Sequence, residues 1–68
     1  MLRIGTVTAF DAPRGLGEVT DDAGGELPFH CTAIADGSRM IDVGTRVAFT
    51  TAAGHLGKVE ARELVPIG

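Results

Sequence analysis

The sequence predicts an all-β chain folded as a small barrel of five short antiparallel strands. Three observations carry that expectation. Strand-favouring residues fall in short runs, glycine- or proline-bearing turns separate the runs, and no long helical stretch interrupts them. Sixty-eight residues make a single domain, 1–68, with no room for a second.

The elements follow in order. Leu2 to Phe10 carries Ile4, Thr6, Val7 and Thr8, which favour a strand, and Gly5, which permits it to curve. Asp11-Ala12-Pro13-Arg14-Gly15 has proline and glycine in turn positions and closes a hairpin. Gly15 to Thr20 is a second strand whose glycines, Gly15 and Gly17, leave one face nearly bare, a mark of a tight corner or close backbone approach. Asp21 to Gly25 is an acidic loop. Glu26 to Cys31 is a third strand, and Pro28, which lacks a ladder donor, confines it to an edge or a bulge.

Cys31 to Ile34 has the length of one helical turn, with Ile34 as an apolar plug. Ala35 to Gly44 is a loop. Thr45 to Thr51 alternates, Val47 and Phe49 pointing one way and Arg46, Ala48 and Thr50 the other. Ala52 to Gly57, with Gly54 and His55, is a hairpin connection. Lys58 to Val65 alternates again, Val59 and Ala61 inward and Lys58, Glu60 and Arg62 outward. The inward register predicts a core of Val7, Val19, Leu27, Phe29, Ile34, Val47, Phe49 and Val59, which suits a barrel interior filled by side chains.

Composition bounds the rest. A chain this short buries only roughly 60% of its unfolded surface, so its stability is modest. There is no Trp or Tyr, and three phenylalanines supply much of the bulk. The lone Cys31 has no internal disulfide partner, which fits a reducing compartment; with neither a leader pattern nor a membrane-length apolar run, the chain is expected to be soluble and cytoplasmic, away from membranes. The net charge of −3 lies in residues 1–34, where Arg3 and Arg14 face Asp11, Glu18, Asp21, Asp22 and Glu26. That sign opposes an electrostatic funnel for phosphates.

Three segments together resemble the cold-shock domain, a five-stranded member of the OB-fold class. Gly5–Asp11 (GTVTAFD) is similar to that family's G-x-V-K-W-F-N, Arg14–Thr20 (RGLGEVT) to its K-G-F-G-F-I-T, and Glu26–Ile34 (ELPFHCTAI) to its D-V-F-V-H-[FY]-S-A-I. The stretch to Gly44–Phe49 follows the family's loop and fourth strand, with one short deletion near Asp36. The resemblance implies an OB-fold barrel that binds single-stranded RNA or DNA on an exposed platform of aromatic rings.

Carried over by position, that platform is altered. The family's tryptophan is Ala9 here; its next two aromatics are Leu16 and Glu18; Pro28 and Cys31 replace two more, and Ser38 a sixth. Phe10 and the platform histidine, His30, are retained, and Arg14 matches the basic residue beside the platform, whereas the strand-one lysine is Thr8. Base stacking on a ring is worth ~1–3 kcal/mol by alanine substitution. Even ~0.5 kcal/mol for each of the lost rings amounts to ~3 kcal/mol, about a hundredfold in affinity. The implied site is therefore Phe10, Arg14, Leu16 and His30, binding single strands weakly. The alternative is a protein-interaction or self-association module, in which Ala9, Phe10, Leu16 and Pro28 form a mildly apolar patch for a protein partner or a second copy.

Other chemistries find little support. His30-Cys31 lacks the closely spaced ligand pairs of a zinc site, with only His55 and scattered carboxylates to complete it. Asp21-Asp22 reads as a pair of turn formers. No nucleophile sits beside a base in a recognisable arrangement, so neither enzyme activity nor a metal or cofactor is expected. Gly15-Leu16-Gly17 is too short for a phosphate loop and leads into no helix.

Overall fold

The computed structural model describes residues 2–54 and 57–67. The strand-favouring runs become β1 (Arg3–Asp11), β2 (Leu16–Asp21), β3 (Glu26–His30), β4 (Arg46–Ala53) and β5 (Val59–Pro66), with a 3-10 turn at Cys31–Ala33. All neighbours pair antiparallel, in the order β3-β2-β1-β4-β5. The sheet curls until its edges, β3 and β5, pack together, and a parallel bridge between Ile34 and Leu64 ties them through the 3-10 turn. The result is a five-stranded OB-fold barrel whose β3–β5 seam is packed but not laddered. Within the connection read at Ala52–Gly57, His55 and Leu56 lie outside the described residues. No helix among the described residues is long and apolar enough to cross a membrane.

Local chemistry explains the strand ends. Gly15 adopts φ 67, a left-handed conformation that suits glycine, so it closes the β1–β2 turn and does not begin β2. Cys31 likewise leaves β3 to open the 3-10 turn, where the His30 side chain accepts from Thr32 N–H as the cap. Pro28 sits on an edge strand. Because Cys31 N–H donates to Gly15 O at 2.7 Å, strand alternation turns the backbone of Pro28 away from β2, so its missing donor interrupts no ladder.

The core is Val7, Val19, Phe29, Ile34, Val47, Phe49, Ala61 and Leu64. Ile34 is buried, as its place as a plug requires. Leu27 is half-buried against the cluster. Val59, expected inside, is 54% exposed. It does share a strand face with the buried Ala61, but it lies where β5 passes the unladdered seam beside Leu27 and Thr51, beyond the packed centre. Leu64 takes its place in the core. The β4–β5 register shifts between Ala48 and Thr50, and Glu63 takes φ 54; the extra residue reverses the strand's facing and turns Leu64 inward. Ala48 faces outward as expected but is covered, lying in register between Ile4 and Val65.

Two ion pairs brace the acidic loop. Asp21, only 5% exposed, accepts from Arg3 Nε and, through Oδ1, from Ala23 N–H at 2.8 Å. Arg46 grips Asp22 with two N–H donors at 2.7 and 2.8 Å and donates to Thr6 Oγ1 at 3.1 Å. The Arg3 hydrogen bond holds the Asp21 carboxyl below the usual carboxylate range, and Arg46 does the same for Asp22. A carboxyl depressed in the folded state stabilises above its unfolded pKa, near 3.9, and loses that contribution as pH falls through the folded value. Thermal unfolding followed by circular dichroism is expected to show Asp21→Asn less stable than the natural chain at pH 7, with the gap narrowing toward pH 2. A constant gap would refute the assignment.

Candidate nucleic-acid interface

Strand alternation sets which side chains face out, and one bulge modifies the pattern. Along β1, Gly5 and Val7 point into the barrel; the β1–β2 register then shifts between Val7 and Ala9, leaving Thr8 and Ala9 both exposed. Beyond the bulge Phe10 falls on the inner side. It pairs with Gly17, and Gly17 pairs with Phe29, so the three positions form one row across β1, β2 and β3. Gly17 has no side chain because a Cβ there would lie 2.5 Å from Phe29 Cζ and 2.7 Å from Ala9 O. Across this bare position the Phe10 and Phe29 rings stack, centroids 6.0 Å apart and planes within 6°.

The outer face is built from the intervening rows. Asp11, Leu16 and His30 form one row; Ala9, Glu18 and Pro28 the next; Thr6, Thr20 and Glu26 a third. Leu16 is 49% exposed beside His30. His30 is oriented from below, its Nδ1 accepting from Thr32 N–H at 3.2 Å and lying 2.9 Å from Thr32 Oγ1. A ring nitrogen that accepts an N–H carries no hydrogen, which assigns the neutral ring's hydrogen to Nε2. Arg14 extends from the turn at the end of the first row, with Nε 3.6 Å from Asp11 Oδ2 across open solvent. Glu18 and Glu26 add exposed carboxylates to the middle and far rows.

Of the four residues singled out from the sequence, the structure brings Leu16 and His30 together and sets Arg14 at their margin. Phe10 is the exception. The bulge turns it to the barrel-facing side and half-buries it against Phe29, away from the row that Leu16 and His30 share. Cys31 is half-buried, and Ser38 binds its own loop through Asp36 and Met40. Three other cations are held in ion pairs: Arg3 with Asp21, Arg46 with Asp22 and Arg62 with Glu60.

The architecture and the face point to one family. The family model described as "'Cold-shock' DNA-binding domain" matches residues 3–67. The chain belongs to the cold-shock domain family. Among solved structures it is similar to one described as Drosophila Unr CSD456, with a TM-score of 0.81 and 25% identity over 100% of this chain. The chain spans only 27% of the length of that structure. No curated relative matches. Cold-shock domains are nucleic-acid-binding modules, and here the positions at which the family presents rings in its first three strands, Ala9, Leu16, Glu18 and Pro28, share one exposed outer face with His30.

Two residues beside this face were not legible as part of it. Glu60 and Arg62, on β5, line a concave pocket with His30, Thr32 and Ala33. Alternation places both on the outside of their strand, but nothing in their spacing connects them to His30. The closure of the barrel does.

Proposed function

We propose that this cold-shock domain is a non-catalytic module that binds single-stranded nucleic acid weakly through Leu16 and His30, with Arg14 contacting phosphate. The observation that carries this reading is the pairing of Leu16 with His30 in register on an exposed face whose other platform positions lack rings. One histidine ring and one leucine support a base or two, and Glu18 and Glu26 repel the backbone.

Fluorescently labelled oligothymidine is expected to bind with a dissociation constant weaker than about 1 μM at physiological salt; nanomolar binding would overturn the weak-affinity reading. His30→Ala is expected to weaken binding about fivefold, the low end of a lost stack. Arg14→Ala is expected to weaken it on all sequences and to reduce the salt slope by about one. Unchanged affinity in both variants would remove the site from this face.

A second reading is favoured by one observation, the exposure of Leu16 beside the edge-strand Pro28: the same face contacts a protein or a second copy. Light scattering would then show an assembly that Leu16→Asp abolishes. A strict monomer with no partner would count against it.

A further inference from the structure

The outer face described above ends at β3, but the concave surface does not. Ala35 N–H donates to Leu64 O at 2.9 Å, next to the Ile34–Leu64 bridge, and this draws β5 alongside the 3-10 turn. His30 therefore belongs to two surfaces. It ends the row of Asp11, Leu16 and His30, and it shares a pocket of about 440 Å³ with Thr32, Ala33, Glu60 and Arg62. That volume lies within the range of small-ligand sites.

The two charged residues that β5 brings to this pocket are not equivalent. Arg62 Nε donates to Glu60 Oε1 at 2.9 Å, and Nη2 lies 2.7 Å from the same oxygen. These contacts use one side of the guanidinium fork and leave Nη1 outside the pair. The other carboxylate oxygen, Glu60 Oε2, packs over Gly54, where a Cβ would collide with it. The Arg62 side chain is 53% exposed and that of Glu60 28%, so the cation is the more open half of the pair. A surface ion pair of this kind is weak, and a phosphate oxygen competes readily for its donors.

Cations thus stand beyond both ends of one row. Arg14 extends from the turn at the β1 end, and Arg62 lies across the seam from His30 at the β3 end. Leu16 and His30 lie between them. A single strand crossing the row sets its bases over the middle and its phosphates toward the ends, the combination of stacking and cations found in single-strand grooves. Arginine suits the outer contact because its planar fork takes phosphate oxygens bidentately.

We propose that Arg62 is a second phosphate contact, which carries the single-strand path from His30 across the β3–β5 seam. The proposal rests on the nucleic-acid reading of the neighbouring face, to which it adds β5.

The test measures oligothymidine affinity by fluorescence polarisation over a series of salt concentrations. Arg62→Gln, at an exposed position outside the core, is expected to weaken binding about threefold at physiological salt and to reduce the salt slope by about one. Combined with Arg14→Ala, it is expected to reduce the slope by about two. Lys58→Gln makes the same change of charge on the approach to β5 but outside the pocket, and is expected to alter the slope by less than half as much. Amide chemical shifts locate the contact: oligothymidine is expected to move Thr32 and Ala33 along with Leu16, and Arg62→Gln to diminish the first two while sparing the third. An unchanged slope in Arg62→Gln, an equal effect from Lys58→Gln, or shifts that stop at His30 would each overturn the proposal.

Its failure is separable from that of the function proposed above. Binding that His30→Ala and Arg14→Ala weaken and Arg62→Gln does not overturns the Arg62 contact alone. Binding that depends on Arg62 but on neither His30 nor Arg14 supports the contact and overturns the residues assigned to the neighbouring face. No binding by the natural chain overturns both.

Discussion

A Leu16→Phe, Glu18→Phe double variant is expected to bind oligothymidine at least about thirtyfold tighter than the natural chain. Both positions lie on the outer face of β2, where Leu16 pairs with His30 and Glu18 lies between Ala9 and Pro28. New rings there would extend the surface around His30 and require no change in the core, since the inner positions of β2 are Gly17, Val19 and Asp21. Two stacks at the low end of ~1–3 kcal/mol give ~2 kcal/mol, about thirtyfold, before counting the removal of the Glu18 carboxylate. Phenylalanine also suits a strand, so the fold is expected to tolerate it. Fluorescence polarisation at physiological salt measures the change. A gain below about threefold would mean that missing rings are not what limits binding.

Leu64→Ala is expected to cost about 2–5 kcal/mol, while Val59→Ala changes stability by less than about 0.5 kcal/mol. Leu64 is fully buried at the centre of the core and Val59 is more than half exposed, although plain alternation along β5 favours Val59. For a domain of this size the whole folding free energy is on the order of 3–10 kcal/mol. Leu64→Ala therefore lowers the melting temperature by at least about 8 °C, at ~4–8 °C per kcal/mol, or leaves the chain unfolded at 37 °C. Urea and thermal denaturation compare the two variants. Equal losses would show that Val59 contributes as much to the core as Leu64 and would overturn this assignment.

These two expectations separate what is local from what is not. Strand-forming runs, the turn at Asp11–Gly15, the edge position of Pro28 and the 3-10 turn ending at Ile34 are all legible in the sequence. Each depends on neighbouring residues: β-branching, a left-handed glycine, a missing N–H or a capping side chain. The motifs that identify the cold-shock family lie in these same short segments, so the family too is readable before any coordinates. So is the outward direction of Leu16, Glu18, Pro28 and His30, because an unbroken strand alternates strictly.

Tertiary structure decided the rest. The bulges in β1 and β5 shift the facing of Phe10 and Leu64, and a bulge is set by how two strands pair, not by the composition of either one. Phe10 consequently stacks on Phe29 across Gly17, leaving His30 as the ring of the Leu16 row. Glu60 and Arg62 meet His30 only because the Ile34–Leu64 bridge closes the sheet on itself. Sequence alone determined the strands and the altered platform, since both follow from local side-chain chemistry. Register and closure determined which of those side chains share a surface, since both depend on contacts between residues far apart in the chain.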